Sequence, residues 1–142
     1  MAALVFAEHL RRAGLDGQVR VTSAGIGGWH AGDPADARTV RALFEHDYPT
    51  QHAAAQVNDD HLSADLLIAM DNSHDGDLRA LLTRRGDTDE RLRMFRTFDP
   101  AATGLLDVPD PYFGDYDGFL EVLALVEAAM PGLLEWVRDN LE

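Results

Sequence analysis

The sequence predicts an α/β fold in which a parallel sheet is flanked by helices in a three-layer sandwich. Three observations lead to this prediction. Helical and extended segments alternate along the chain in the order α-β-α-β-α-β-α. Leu66 to Met70 is an uninterrupted apolar run, which is typical of a strand buried on both faces. One long amphipathic helix, predicted over 117–141, closes the chain.

The first half of the chain contains two predicted helices and one predicted strand. A 3.6-residue apolar period indicates a helix over 1–13, which begins without a capping side chain. Alternating apolar and polar residues predict a half-buried strand over 18–23. After a glycine-rich loop, Asp33 or Asp36 is placed to cap a helix over 36–46.

The second half continues the alternation. A short extended piece over 52–56 precedes a helical turn at 59–62. The buried apolar run follows, and then a helix over 73–84 and a further strand over 91–95. Pro131 is expected to disturb the final helix, because proline lacks the N–H that an internal helical position donates.

Two features of this pattern indicate that a first strand is missing. The pattern begins with a helix, and three strands make a thin sheet for so many helices. We therefore expect a single domain over 1–142 that is incomplete at its N-terminus. Its sheet is expected to re-pair, or to form a homo-oligomer through its exposed edges.

The composition is that of a folded, acidic chain without cysteine. Apolar residues make up 46% of it, the net charge is −13, and all 12 basic residues are arginine. Such a charge repels nucleic acid and anionic membranes. No long apolar run or basic leader is present, so we expect a cytoplasmic location, with export without a signal peptide left open. Disulfides, thiolate metal sites and a cysteine nucleophile are excluded from these residues.

The stretch 107–114 concentrates carboxylates, prolines and aromatic rings. Pro111 holds the backbone of Asp110 out of the helical region, and Tyr112 and Phe113 follow directly. Burial against apolar rings raises the pKa of a carboxyl group and keeps it protonated near neutral pH. Taken alone, the stretch favours a proline-rich turn over a catalytic acid.

Four aspartates in and after this stretch suggest a cation site as a further interpretation. They are Asp107, Asp110, Asp115 and Asp117. Their spacing does not fit a calcium-binding loop, and acids in a solvated loop explain them more simply. We expect no metal and no cofactor.

Five motifs occur in a fixed order along the chain. They are T-S-A-G-I-G-G-W-H-A-G-D-P-A-D, H-A-A-A-Q-V, A-D-L-L-I-A-M-D-N-S-H, D-V-P-D-P-Y-F-G-D and G-F-L-E-V. Together they resemble the low-molecular-weight protein tyrosine phosphatases of the actinobacterial type, over essentially the whole chain. The resemblance implies a phosphotyrosine phosphatase I-like fold lacking its first strand. It also implies phosphomonoester hydrolysis through a cysteinyl-phosphate intermediate, acting on a phosphotyrosine protein or an aryl phosphate.

The resemblance also implies roles for individual residues. Asp110 matches the general acid, which protonates the phenolate leaving group and later activates water. Two aromatic walls for a flat substrate are matched by Trp29, His30, Tyr112 and Phe113. Trp29 has a structural alternative, as a side chain that pins a surface loop.

Three polar residues match supporting positions. Ser23 and His52 match groups that hold the family's phosphate loop by hydrogen bonds, and either is equally well explained as an ordinary buried polar group. Asp71 matches an aspartate that follows a family strand, where a helix cap is the expected role.

The family's phosphate loop has the form C-x-x-x-x-x-R-S, and Met1-Ala2 matches only the M-A that closes it. The serines do not form a nucleophile elbow, and Arg11 and Arg12 lie at the far end of the first helix. We therefore expect this chain to be an N-terminally truncated and inactive form of a phosphatase. The alternative is a native, non-catalytic, phosphatase-like binding or interaction protein.

Overall fold

The computed structural model of the chain describes residues 1–25, 32, 36–53, 55–102, 104, 106–109 and 115–141. Five α-helices, two strands and a 3₁₀ helix lie in these ranges. The helices are α1 (Ala2–Arg12), α2 (Ala37–Glu45), α3 (Asp59–Leu62), α4 (Asn72–Arg85) and α5 (Tyr116–Asn140). The strands are β1 (Leu67–Ala69) and β2 (Leu92–Met94), and the 3₁₀ helix spans Phe95–Phe98.

The two strands pair in parallel, and β1 separates two apolar clusters. Leu67 and Ala69 are buried in one cluster, whereas the intervening Ile68 packs against the other. Successive side chains of a strand point to opposite faces, so both faces of β1 are covered. This confirms the predicted parallel sheet between helical layers and the strand buried on both faces.

The clusters assign the helices to the two layers. The smaller cluster joins the sheet to α3 and α4 through Leu62, Leu67, Ala69, Leu78, Leu82 and Leu92. The larger cluster packs α1 and α2 against α5, which contributes Phe119, Val122, Leu123, Val126, Ala129, Met130, Leu133 and Val137. In the described ranges, no helix, α5 included, has both the length and the hydropathy to cross a bilayer.

The predicted strand over 18–23 is wrong. Its valines behave as predicted, since Val19 and Val21 pack against the larger cluster. A strand also requires a backbone ladder, and the pairing described beside this stretch is a single parallel bridge between Gly25 and Gln56. The described sheet therefore has two strands, and the expected re-pairing is not seen in the described ranges.

The predicted helices are confirmed to within a few residues. Aspartate side chains cap the N-termini of three of them. Asp36, Asp71 and Asp115 accept hydrogen bonds from backbone N–H groups in the first turns of α2, α4 and α5. Of the two caps proposed for α2, Asp36 is the one used. α1 has no side-chain cap at Met1, as expected.

Pro131 lies inside α5, which continues through it from Tyr116 to Asn140. Packing on both sides of the proline explains this result. Met130 and Leu133 are buried in the larger cluster, and Gly132 lies directly against the backbone of Phe98. These contacts hold the helix together where a hydrogen bond is lost.

A buried tyrosine connects α1 to α5. The Tyr48 hydroxyl donates a hydrogen bond to Glu127 at 2.7 Å, and His9 Nε2 lies 3.1 Å from the same oxygen. Burial, reinforced by the Glu127 hydrogen bond, raises the pKa of Tyr48 to about 12. The hydroxyl therefore remains a donor throughout the physiological pH range.

Replacing Gly132 with alanine tests the contact between α5 and the 3₁₀ helix. A Cβ at this position would lie 2.1 Å from the carbonyl oxygen of Phe98, a backbone atom that cannot move aside alone. We expect Gly132→Ala to lower the free energy of unfolding by about 2 kcal/mol, measured by urea denaturation.

The matched control is Gly76→Ala in α4, where an added Cβ meets nothing within 4 Å. That variant is expected to be unchanged or slightly more stable, because alanine favours helix. A Gly132→Ala protein as stable as the parent chain would show that the two elements do not pack this closely.

Candidate active site

The segment that leads to Asp110 is attached to the carboxyl end of the sheet. The Val108 N–H donates to the carbonyl of Met70, which directly follows β1, at 2.7 Å. The Asp107 carboxylate accepts the N–H of Asn72, the first residue of α4, at 2.9 Å. Val108 is itself buried in the larger cluster. The attachment is thus made where open α/β sheets place their ligands.

The segment that follows Asp110 ends at a helix cap. Asp115 precedes α5, and its carboxylate accepts the Gly118 N–H at 3.2 Å. Both described flanks of the acid motif are therefore held by hydrogen bonds to regular elements. Asp110, Tyr112, Phe113, Trp29 and His30 themselves lie outside the described residues.

Ser23 and His52 are the two predicted site residues that the structure describes, and it brings them together. Ser23 Oγ lies 2.7 Å from His52 Nε2. The bridge between Gly25 and Gln56 holds the two segments side by side, with the Gly25 N–H 2.7 Å from the Ala55 carbonyl. Ser23 is exposed and His52 is half-buried. Their role in supporting a phosphate loop remains a prediction.

The electrostatic environment of His52 favours its neutral form. Burial lowers the pKa of His52 below its ordinary value of 6.5, and the positive charge at the Met1 amino group lowers it further. A neutral imidazole can either donate to the Ser23 hydroxyl or accept from it.

The structure assigns a role to Asp107 that sequence reasoning missed. Asp107 was considered only as one acid of a solvated loop or of a cation site. Its carboxylate instead satisfies a backbone donor at the start of α4. Its partner, Asn72, is 35 residues away in the chain, and no local pattern connects the two.

Two further aspartates, Asp71 of an earlier motif and Asp115 at the end of the acid motif, also accept backbone N–H groups. Asp71 caps α4 by accepting the His74 N–H at 2.8 Å, which confirms its expected role. Asp107 and Asp115 each accept a backbone N–H, as described above. Within the described ranges, no group of histidine, aspartate or glutamate side chains is arranged to hold a metal ion.

Comparison with known proteins agrees with the resemblance read from the motifs. The family model described as low molecular weight phosphotyrosine protein phosphatase matches residues 1–142. The chain is 51% identical over 142 residues to low molecular weight protein-tyrosine phosphatase A of Mycobacterium tuberculosis, covering 99% of the chain and 85% of that protein. It is 46% identical over 144 residues to a low molecular weight protein-tyrosine-phosphatase of Streptomyces coelicolor, with 100% and 87% covered.

A solved structure shows the same fold. The crystal structure of YfkJ from Bacillus subtilis superimposes with a TM-score of 0.87 at 29% sequence identity. The match covers 99% of this chain and 87% of that one. The predicted fold class and the resemblance to actinobacterial relatives are both confirmed.

The environment of His52 predicts that stability depends on pH. Burial lowers the pKa of His9 as well as that of His52. The unfolded chain therefore takes up these protons at a higher pH than the folded chain does. The free energy of unfolding should fall as the pH is lowered from about 7.5 to about 5.5.

His52→Gln should reduce the pH-dependent loss of unfolding free energy without abolishing it, since His9 still contributes. Urea denaturation at a series of pH values measures the effect. A pH dependence identical to that of the parent chain would contradict the assigned environment of His52.

Proposed function

Because the chain belongs to the low molecular weight phosphotyrosine protein phosphatase family, we propose that the complete protein hydrolyses phosphotyrosine in proteins. The observation that supports this most directly is the attachment of the Asp110 segment. Its flanks are fixed to the end of β1 and to the starts of α4 and α5, with Asp107 and Asp115 each engaged by a backbone N–H. Of the three acids in the motif, the family pattern leaves Asp110 for chemistry.

The proposed reaction has two steps. A cysteine thiolate attacks phosphorus, an S–P bond forms, and the bond from phosphorus to the phenolic oxygen breaks. Asp110 supplies the proton that the leaving oxygen takes up. In the second step water attacks phosphorus, Asp110 receives a proton from it, and the thiolate leaves with inorganic phosphate released.

The nucleophile is not among these 142 residues, since the chain contains no cysteine, and the family's C-x-x-x-x-x-R pattern, which supplies the phosphate-binding arginine, is absent with it. We propose that a C-x-x-x-x-x-R segment precedes Met1 in the complete protein, and that this chain alone is inactive. The match to the mycobacterial relative supports an additional segment, because it covers 85% of that protein and leaves about 15% of its length unmatched.

The remaining site residues are assigned by the same proposal. Trp29 and His30 form one wall beside the phosphate, and Tyr112 and Phe113 form the other. Ser23 and His52 lie within hydrogen-bonding distance of each other. In this proposal they support the phosphate loop by hydrogen bonds. An aryl ester fits between two aromatic walls because its ring can contact both of them.

Assays of the 142-residue chain and of the complete protein test this function. The complete protein should hydrolyse a phosphotyrosine peptide, and the chain alone should not. In the complete protein, Asp110→Asn should lower kcat/KM by about 10²-fold to 10³-fold, because an amide cannot protonate the leaving oxygen.

The control is Asp117→Asn, an exposed acid in the first turn of α5, which should retain the parental rate. Turnover by the 142-residue chain would refute the proposed nucleophile. A complete protein that binds phosphotyrosine without hydrolysing it would instead support a non-catalytic binding protein.

A further inference from the structure

Three side chains connect α2 to the first turn of α5. The Tyr116 hydroxyl donates a hydrogen bond to the Glu45 carboxylate. Arg41 Nε donates to the same carboxylate at 3.1 Å, and the Arg41 guanidinium lies 3.8 Å from the centre of the Tyr116 ring. Each member of this set, the α2–α5 cluster, contacts both of the others.

The position of the cluster matters more than its energy. Tyr116 is the first residue of α5, so it follows directly on Asp115, where the acid segment ends. Glu45 is the last residue of α2, whose first turn begins at Asp36, where the segment that carries Trp29 ends. The cluster therefore joins the two helices that directly follow, in the chain, the two segments that carry the predicted substrate walls.

A second contact fixes the relative direction of these helices. The Arg38 guanidinium lies 4.6 Å from the centre of the Phe119 ring. Arg41 follows Arg38 on α2, whereas its partner Tyr116 precedes Phe119, the partner of Arg38, on α5. The helices thus run antiparallel here, and the α2–α5 cluster marks where α5 begins relative to α2.

The cluster is poorly suited to a purely stabilising role. The Arg41 and Glu45 side chains are 60% and 46% exposed, and ion pairs as exposed as this contribute little to stability. Eight buried residues already hold α5 on the core. The cluster adds polar contacts to the first turn of the helix, where Phe119 is buried in the core and Tyr116 packs against it.

We propose that Tyr116, held by Glu45 and Arg41, is a positioning residue for the general acid. It fixes the first turn of α5, to which the segment carrying Asp110 is connected in the chain. This inference rests on the proposed phosphatase function. Tyr116 touches neither the substrate nor the nucleophile in this role.

The test uses the dependence of the rate on the leaving group. Phenol is a poor leaving group that needs the proton from the acid, whereas 2,4-dinitrophenol leaves readily without it. In the complete protein, Tyr116→Phe should lower kcat/KM for phenyl phosphate about fivefold and change it by less than about twofold for 2,4-dinitrophenyl phosphate. Glu45→Gln should stay close to the parent, since an amide oxygen can still accept from Tyr116.

Tyr48→Phe is a matched control. It removes the hydrogen bond that the Tyr48 hydroxyl donates to Glu127, in the middle of α5. It should lower stability and leave the ratio of the two rates unchanged. The proposal is overturned if Tyr116→Phe leaves that ratio unchanged, or if Tyr48→Phe shifts it equally.

A second measurement separates this proposal from the proposed function. In the 142-residue chain, which needs no activity for the purpose, Tyr116→Phe should speed hydrogen exchange at the Gly118 amide, the donor to Asp115. Unchanged exchange would overturn the positioning role. A complete protein without turnover would overturn the phosphatase function, and the Gly118 exchange rate would still decide the role of Tyr116.

Discussion

The burial of β1 on both faces is the constraint on which the rest of the structure depends. Its alternate side chains are divided between two apolar clusters, so a shift of the strand by one residue would move each set out of the cluster in which it packs. This fixes the position of its carboxyl end at Met70. The Val108 N–H then bonds to the Met70 carbonyl, and the Asp107 carboxylate to the Asn72 N–H. The start of the acid motif, Asp107 and Val108, is therefore attached to the carboxyl end of the sheet.

Four aspartates of this acidic chain lie at helix starts. Asp36, Asp71, Asp107 and Asp115 each accept a backbone N–H at the beginning of a helix, where negative charge is favoured. Their charges are thereby held at fixed positions by the scaffold. For the proposed chemistry this leaves one acid of the motif to carry the proton, while its neighbours set the geometry of the segment.

Local patterns in the sequence predicted the helices, β1 and β2, because each of these is indicated by the pattern of its apolar residues, and α2 and α4 also by a capping aspartate. The strand over 18–23 was overpredicted for a physical reason. Alternation reports which side chains are buried, and Val19 and Val21 are indeed packed, but it does not report whether a backbone partner lies alongside. Contacts between distant residues, such as Tyr116 with Glu45, 71 positions apart, leave no local signal. The motif resemblance supplied Ser23 and His52, which no periodicity would have paired.

Residue-resolved hydrogen exchange at Val108 and Asn72 tests most directly whether the acid motif is anchored to the sheet. If it is, both amides should exchange nearly as slowly as Leu67, whose N–H pairs with Arg91 inside the sheet. Asp107→Ala should then speed exchange at Asn72 while Leu67 is unaffected. Rapid exchange at Val108, at a rate typical of an unpaired loop amide, would contradict the attachment of the motif's first residues to the sheet.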